Sequence, residues 1–480
     1  MADAQLSGLP VLVAGTGVSG RAAAAALRAR GSRVRTYDDN DVDADTRDLA
    51  ALDDVQVVVA SPGIPPHHRL LAAAVARRIP VWSEVELAWR LRTTRGARGP
   101  APWLAVTGTN GKTTTVGMLA AILTAAGENA PAVGNVGPPV VDAALDPTHD
   151  VLAVELSSFQ LHFTEGMAAQ AAAVLNLAPD HLDWHGGFDA YVAAKARIYR
   201  GVESACVYDV ADPRLAELVR DADVAEGARA VGTTLGLPGP GQLGVVDGVL
   251  VDRAFHADVD DPFRARTAAE LATLDDLHHL AGPGGVAPHV VSNALAAAAL
   301  ARAHGVPAAA VAAGLRAFRP GDHRTAHVRT VDGVHYVNDS KATNAHAAAA
   351  ALSGLPAGRV VWIAGGLAKG AEFDALVREH ADRLRAVVLI GVDATPWVEA
   401  LARHAPAIPT QTIDPTDTGT VMTRAVTHAR RLAQPGDTVL LAPAGASMDQ
   451  FRSYADRGES FARAVTQLEV GSNPDVPTER

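Results

Sequence analysis

The residues with the clearest chemistry lie in the run Val-Thr-Gly-Thr-Asn-Gly-Lys-Thr-Thr at 106–114. Glycines let backbone N–H groups approach a polyphosphate closely, and a helix that starts here presents its N-terminus to the same anion. Lys112 is placed to neutralise terminal phosphates, and the Thr113 hydroxyl to bind Mg²⁺. The general motif has glycine where this chain has Val106, and an ordinary turn is the alternative. Because a strand precedes the loop and a helix follows it, we predict a nucleoside triphosphate site formed by Gly108, Thr109, Asn110, Gly111, Lys112, Thr113 and Thr114.

A second glycine loop, Gly-Thr-Gly-Val-Ser-Gly at 15–20, follows a strand-like run at 9–14. An alanine-rich helix comes next, and then a strand at 33–37 that leads into Asp38. This order is typical of a dinucleotide-binding unit, in which the acidic residue holds a ribose. A tight strand-to-helix turn without a ligand is the alternative. We favour a nucleotide site, with the loop at 61–65 above the same edge of the sheet.

Three polar residues in the middle of the chain are candidates for metal chemistry. Glu155 follows a buried strand run at 150–154, and a carboxylate at such a strand end is suited to Mg²⁺. His181 lies in the loop after a strand at 171–177, and Lys195 lies on the helix that follows. Taken singly, a loop histidine or a helical lysine is usually a solvated surface group. Only their position near the phosphate loop makes them candidates.

The elements that must position these residues suggest three α/β units, because 480 residues exceed one compact core. A Gly/Pro/Arg-rich linker at 92–102 and a break near 320 divide the chain. We predict domains at 1–96, 97–320 and 321–480, each with a largely parallel sheet.

Between the motifs, the sequence is less informative. Residues 225–288 show one hairpin signal at 245–250 and no chemistry. Residues 471–480 are expected to form a disordered tail. Further elements are predicted as helices at 293–303 and 308–318, and as strands ending at Val337, at 360–364, at 387–390 and at 438–441.

Composition excludes several classes of protein. The single cysteine, Cys206, excludes an internal disulfide and a thiolate metal cluster. A formal charge of -11 without a basic block argues against nucleic acid binding. The N-terminus lacks a signal-peptide pattern, and no apolar run is long enough for a membrane span. We therefore expect a cytoplasmic protein that acts on small molecules, as a monomer.

Five motifs in fixed order together resemble the Mur ligases, the ATP-dependent amide-forming enzymes of peptidoglycan precursor synthesis. They are Gly-Thr-Asn-Gly-Lys-Thr at 108–113, Glu-Leu-Ser-Ser-Phe-Gln at 155–160, Asp-His-Leu-Asp at 180–183, Asn-Asp-Ser-Lys-Ala-Thr-Asn at 338–344 and Ala-Ser-Met-Asp-Gln-Phe at 446–451. The resemblance implies a Rossmann-like UDP-binding domain, a central P-loop domain and a C-terminal Rossmann-like domain. The first domain, Asn110 and the motif at 446–451 are most similar to the family member that adds D-glutamate to UDP-N-acetylmuramoyl-L-alanine.

The resemblance also implies a mechanism. ATP phosphorylates the terminal alanine carboxylate, and the D-glutamate amine displaces phosphate from the acyl phosphate. Lys112, His181 and Lys195 would be catalytic. Of two Mg²⁺ ions, one would be held by Thr113 and Glu155, and the other by His181 and a carbamylated Lys195.

Substrate-binding residues follow from the same resemblance. The UDP-linked substrate would be held by Thr16, Gly17, Asp38, Gly63 and Asn135; ATP, beyond the phosphate loop, by Asn293, Arg324, Asp339 and Lys341; and D-glutamate by Thr343, Lys369, Ser447 and Tyr454. Three features depart from the family pattern: Val290 replaces an asparagine near the adenine, Tyr454 replaces a common phenylalanine, and the middle domain carries an insertion at 205–288. The alternative for Ser447 is a structural role, as the N-cap of the final helix.

Other functions remain open at this point. A ligase of the same family with another amino-acid acceptor is the nearest alternative. A nicotinamide-dependent oxidoreductase built on the first domain is an alternative of another class, and a non-catalytic ATP-dependent switch is a third.

Overall fold

The computed structural model describes residues 6–258, 260–281, 285–321, 326–417 and 419–470. It is an α/β protein with three sheets of four, nine and six strands, and the predicted fold class is confirmed. Its contacts form two compact units: Met1–Leu277 with Val291–Phe318, and His278–Val290 with Arg319–Arg480. The expected tail at 471–480 lies outside the described residues.

The first sheet has four parallel strands in the order β2-β1-β3-β4. Each strand leads to a helix or loop at the same sheet edge, so the loops after β1 and β3 are neighbours. The elements are β1 (Pro10–Ala14), α1 (Val18–Ala29), β2 (Arg33–Tyr37), β3 (Val57–Ala60), α2 (Arg69–Ala76), β4 (Val81–Ser83) and α3 (Glu84–Leu91).

The nine-stranded sheet belongs to the same compact unit and carries the phosphate loop. Its order is β13-β12-β11-β10-β9-β8-β5-β7-β6, parallel except for the pairs β11/β12 and β12/β13. The elements are β5 (Trp103–Thr107), α4 (Lys112–Ala125), β6 (Ala132–Gly134), α5 (Val140–Leu145), β7 (Leu152–Glu155), α6 (Ser158–His162), β8 (Ala171–Val174), α7 (Leu182–His185), α8 (Phe188–Ala196), β9 (Ala205–Asp209), α9 (Pro213–Arg220), β10 (Arg229–Thr233), β11 (Gln242–Val246), β12 (Val249–Asp252), β13 (Ala269–Thr273), α10 (Pro288–His304) and α11 (Ala308–Ala317).

Strands β5, β7 and β8 are buried along their whole length, which explains why they read as continuous apolar runs rather than alternating ones. The hairpin signal at 245–250 is confirmed, with its turn at Asp247 and Gly248. The surrounding segment does more than the sequence indicated, because β10 to β13 extend the central sheet instead of forming a separate insertion.

The six-stranded sheet lies in the second unit, in the order β14-β15-β19-β16-β17-β18. Only β14 is antiparallel to its neighbour. The elements are β14 (Ala326–Val331), β15 (Val334–Asn338), α12 (Ala345–Ser353), β16 (Val360–Gly365), α13 (Asp374–His380), β17 (Leu384–Ile390), α14 (Thr395–His404), β18 (Thr410–Thr412), α15 (Val421–Leu432), β19 (Thr438–Ala444) and α16 (Tyr454–Thr466). The alternation predicted for this part of the chain is confirmed.

The predicted linker at 92–102 contains one short 3₁₀ turn, Gly96–Arg98, where no regular element was expected. Its arginines fix it to Asp150: Arg95 Nη1 donates to the Asp150 carbonyl at 2.7 Å, and Arg98 Nη1 lies 3.3 Å from the carboxylate. The segment is therefore anchored to the central sheet. No helix in the described parts of the chain is long and apolar enough to cross a membrane.

Candidate active site

The phosphate loop joins β5 to α4. Gly111 is the N-cap of α4, and its backbone is left-handed, with φ of +84°. The backbone N–H groups of the first turn of α4 follow it directly. Lys112 Nζ donates to the carbonyls of Gly108 at 2.8 Å and Thr109 at 2.9 Å. The lysine therefore lies against its own loop, and its contact with terminal phosphates stays a prediction.

Two glycines of this loop are required by close contacts. A Cβ on Gly108 would lie 3.0 Å from the Leu175 side chain, and one on Gly111 would lie 2.4 Å from Asn293 Oδ1. Asn293 is 7% exposed. Asn293, predicted to bind ATP, therefore lies close to the phosphate loop.

Lys195 reaches the same loop from α8 and is 2% exposed. Its Nζ donates to the Gly108 carbonyl at 2.8 Å and lies 4.7 Å from the centroid of the Tyr191 ring. Burial, and then the positive charge of Lys112, hold the pKa of Lys195 well below its ordinary value, against the opposing carboxylates of Asp180 and Glu155. The pattern that suggests a surface lysine is therefore wrong for this residue, since the amine is buried beside the Gly108 carbonyl and the Thr107 hydroxyl.

Glu155 ends β7, where its backbone is in register with Val106 of β5. It is 2% exposed, and its Oε1 accepts a hydrogen bond from Asn135 Nδ2 at 2.9 Å. Asn135 N–H also donates to the Glu155 carbonyl at 3.0 Å. Glu155 is therefore buried and paired rather than facing water.

His181 lies at the start of the four-residue helix α7 with a left-handed backbone, φ of +53°. Its Nε2 is 3.7 Å from Asp180 Oδ2, and its ring centroid is 4.6 Å from that of Phe159. Lys195, on α8, belongs to the next helix along the chain.

The glycine loop of the first sheet turns between β1 and α1. Thr16 donates its backbone N–H and its hydroxyl to Asp38 Oδ2, both at 3.0 Å. The backbone N–H groups of Asn40 and Thr16 hold the pKa of Asp38 below its ordinary value. Gly17 is exposed beside them, and Gly63 is exposed in the loop after β3, so four of the predicted UDP residues lie at one sheet edge.

In the second unit, the predicted residues lie at the carboxyl ends of β15, β16 and β19. Lys341 Nζ is 3.8 Å from the centroid of the Tyr454 ring. Thr343 N–H donates to the Lys341 carbonyl at 2.8 Å, and Asp339 N–H to that of Leu441 at 2.8 Å. Asp339, Lys341, Thr343 and Tyr454 are therefore assembled in one region.

The loops that carry Lys369 and Ser447 are also joined. Leu367 and Ala446 exchange two backbone hydrogen bonds, of 2.8 and 3.0 Å. Lys369 is exposed with φ of +50°, whereas Ser447 is 4% exposed. The alternative for Ser447 as N-cap of the final helix is wrong, because Ser453 caps α16 by accepting from Asp456 N–H.

The comparisons with known proteins decide the family. Residues 106–233 match the Mur ligase middle domain, and residues 323–445 match the Mur ligase glutamate ligase domain. Over 478 residues the chain is 57% identical to a UDP-N-acetylmuramoylalanine--D-glutamate ligase of Streptomyces avermitilis, a match that covers 96% of this chain and 98% of the relative. A relative of the same name from Streptomyces coelicolor is 55% identical over 481 residues, covering 97% and 99%.

The chain belongs to the Mur ligase family. The resemblance seen in the five motifs is thus confirmed over nearly the whole length. The fold is also that of a solved MurF ligase of Thermotoga maritima in complex with ADP, with a TM-score of 0.54, 17% identity, and coverage of 97% of this chain and 96% of that one.

Three residues that hold the phosphate loop of this Mur ligase were not predicted. Tyr191 OH lies 2.8 Å from Thr109 Oγ1, and Asn176 pairs with Asn110 through its Oδ1 at 2.9 Å and its Nδ2 at 3.1 Å. Thr107 donates its hydroxyl to the Leu156 carbonyl at 2.7 Å. These partners are about 50 to 80 positions apart in the sequence, so no local pattern could reveal them.

A fourth unpredicted residue, Arg457, ties two loops of the second unit together. Its side chain is fully buried and donates to Ser340 Oγ at 3.0 Å, to the Ser340 carbonyl at 2.9 Å and to the Gly445 carbonyl at 3.0 Å. Burial lowers the pKa of Arg457 to about 10. The only sequence signal was an arginine within the apolar face of α16.

Arg324, predicted to bind ATP, lies outside the described residues. Across those that are described, no group of three or more His, Cys, Asp or Glu side chains is arranged to hold a metal ion.

Proposed function

We propose that this Mur ligase joins D-glutamate to UDP-N-acetylmuramoyl-L-alanine, with ATP converted to ADP and phosphate, in peptidoglycan precursor synthesis. The observation that carries the proposal is the match of 57% identity across 96% of the chain to a ligase named for that reaction. The phosphate loop carries Lys112, and the buried Lys195 of α8 donates to it. Together these groups supply the chemistry that such a reaction needs.

The reaction proceeds in two steps. A carboxylate oxygen of the alanine attacks the γ-phosphorus of ATP, and ADP leaves. The D-glutamate amine then attacks the acyl carbon, loses a proton and expels phosphate. Negative charge gathers on the transferring phosphoryl group, and Lys112 with the first turn of α4 is placed to offset it.

We propose two Mg²⁺ sites around the loop, where Glu155 and Lys195 are both buried. Thr113 on the first turn of α4 and Glu155 at the end of β7 offer oxygen ligands, and His181 and a carbamylated Lys195 would form the second set. In proteins, Mg²⁺ usually keeps several water ligands and is also bound by substrate phosphates. One or two protein ligands per ion are therefore sufficient. Bound there, Mg²⁺ would neutralise charge on the phosphates.

Carbamylation of Lys195 has direct support from its surroundings. Its buried amine has a lowered pKa, and only an unprotonated amine attacks CO₂. The new N–C bond forms with loss of one proton, and the product is an anionic oxygen ligand instead of a cation.

The substrate residues are proposed as predicted. Thr16, Gly17, Asp38 and Gly63 at one edge of the first sheet, with Asn135, would hold the UDP-linked substrate. Asn293, Asp339 and Lys341 would contact ATP, and Thr343, Lys369, Ser447 and Tyr454 would meet the two carboxylates of D-glutamate. We also propose that the enzyme acts as a monomer in the cytoplasm, where nucleotide-linked substrates are present.

An acceptor panel tests this function. Purified enzyme is given ATP, Mg²⁺ and UDP-N-acetylmuramoyl-L-alanine, and phosphate release is measured with D-glutamate, L-glutamate, L-alanine or a diamino acid. We expect release with D-glutamate alone. Preference for another acceptor would indicate a different member of the family, and release without any acceptor would indicate an ATP-dependent switch.

A further inference from the structure

Phe159 lies at the centre of a group of aromatic rings beside the phosphate loop. It belongs to the short helix α6, which begins at Ser158, shortly after Glu155. Its ring centroid is 4.6 Å from those of His181 and Trp184 and 5.8 Å from that of His185. Three rings of the α7 segment therefore pack against this one side chain.

The backbone of His181 needs such support. A left-handed conformation is unfavourable for a residue with a Cβ and persists only where the surroundings impose it. The imidazole is partly exposed, and its Nε2 lies 3.7 Å from Asp180 Oδ2. Among the contacts that the structure shows for this ring, the face of Phe159 is the closest apolar one.

The platform beneath Phe159 is rigid. Ser157 and Gln160 form a reciprocal capping box at the start of α6. The far end of α7 is tied to the same helix, because His185 Nε2 lies 2.9 Å from Ser158 Oγ. Helix α6 thus holds both ends of the segment that begins with His181.

We propose that Phe159 is a positioning residue, whose ring fixes the orientation of the His181 imidazole toward the second metal site. This inference rests on the proposed role of His181. Partners that orient a metal ligand typically change metal affinity or activity by about 10-fold to 100-fold when removed. Without the ring, the histidine keeps its chemistry but loses an aromatic contact that holds its direction.

The test compares substitutions that keep or remove the ring. Phe159→Leu removes it, and Phe159→Tyr keeps it. Phe255→Leu is the matched control: Phe255 is half-buried in the loop after β12 and contacts Arg229. Should Phe159→Leu fail to fold, Phe159→Met fills more of the space with a flexible apolar chain. Circular dichroism checks folding of each variant.

Two measurements are made on every variant: turnover as a function of Mg²⁺, and binding of Mn²⁺ with a non-hydrolysable ATP analogue, read by water-proton relaxation. For Phe159→Leu we expect about tenfold weaker binding of the second Mn²⁺ and a similar rise in the Mg²⁺ requirement. Phe159→Tyr is expected to stay within about twofold of the wild type, and Phe255→Leu to match it.

His181→Ala separates the inference from the proposed function. If His181→Ala is inactive while Phe159→Leu binds Mn²⁺ and turns over normally, Phe159 does not position the histidine. If His181→Ala itself binds both ions and turns over normally, the proposed role of His181 fails, and the inference fails with it.

Discussion

The four lysines of this sequence are all predicted site residues: Lys112, Lys195, Lys341 and Lys369. The chain has 42 Lys and Arg residues in total, so arginine serves nearly every other cationic position. Arginine is not a conservative replacement for a compact ammonium, and it cannot act as a neutral amine, because its guanidinium is larger and always charged. Lysine-directed experiments therefore report on the site with little background.

Lys112→Ala is expected to lose turnover by about 10²-fold to 10³-fold or more, since the partner of the developing phosphoryl charge is removed. The melting temperature should change little, because the side chain is partly exposed and donates to two carbonyls of its own loop, those of Gly108 and Thr109. Steady-state kinetics and calorimetry measure both quantities. Near-normal turnover would contradict the assignment of the phosphate loop.

Lys195→Ala is expected to be almost inactive and to regain part of its activity with added short carboxylates, which fill the vacated space and supply an oxygen ligand. Lys195→Arg should not be rescued, since the guanidinium occupies that space and keeps its charge. In wild-type enzyme under ¹³CO₂, a single ¹³C carbamate resonance is expected, and it should be absent from Lys195→Ala. A fully active alanine variant would show that this lysine has no role in metal binding.

Glu84 gives the enzyme a pH-dependent stability. The residue is 1% exposed, its Oε1 accepts from Val141 N–H at 2.6 Å, and its Oε2 has no partner among the described residues. Burial, aided by Asp142, raises the pKa of Glu84 from 4.5 to about 7. The folded state therefore binds a proton more tightly than the unfolded state does, and its stability falls as pH rises through about 7.

The expected loss is about 3 kcal/mol between pH 4.5 and pH 8. Glu84→Gln should lack this pH dependence. Its free energy of unfolding should therefore rise relative to that of the wild type as pH rises. Denaturant unfolding at several pH values measures the difference, with Glu226→Gln, at an exposed position, as control. Parallel pH profiles for wild type and Glu84→Gln would refute this role for the carboxyl group.

At the scale of elements, helix α11 packs unusually closely on α4, the helix that starts from the phosphate loop. A Cβ on Gly314 would lie 2.3 Å from Ile122 Cα, whereas one on Gly117 would meet the end of the Phe318 ring at 2.7 Å. Backbone cannot move aside as a side chain can. Gly314→Ala should therefore destabilise the protein by about 1–3 kcal/mol, and Gly117→Ala by clearly less.

Both substitutions gain the same helix propensity, so their difference in melting temperature isolates the packing. Equal melting temperatures for the two variants would show that α11 can shift away from α4 without cost.

The sequence predicted elements best where a buried parallel strand leads into a glycine loop. The runs before Gly15 and Gly108 were recognised because strands buried on both faces are continuously apolar. Strands β10 and β13 were missed, since one begins at the exposed side of the sheet with Arg229 and the other includes Glu270. Pairing decides their structure: β10 pairs with β9 and β11, and β13 pairs with β12 across a bulge.

The same limit applies to the site. Motifs located Lys112, Glu155 and His181, because each of those residues directly follows a predicted strand or loop. That Lys195 is buried, and that Tyr191 and Thr109 meet, depends on helix α8 crossing the phosphate loop, which no sequence spacing encodes.

At the scale of the whole molecule, family membership accounts for all three sheets, whereas the oxidoreductase alternative accounted for the first alone. The predicted domain boundary near residue 97 stays a prediction. A reaction through an acyl phosphate can be recognised by the fate of one oxygen atom. The carboxylate oxygen that attacks ATP leaves with the released phosphate when the amine displaces it.

The most direct test uses UDP-N-acetylmuramoyl-L-alanine with both carboxylate oxygens replaced by ¹⁸O, together with ATP and D-glutamate. Mass spectrometry of the products should show one ¹⁸O in each phosphate released and one in the new amide, and no reaction when D-glutamate is omitted. Unlabelled phosphate, or phosphate release that does not depend on D-glutamate, would contradict the account.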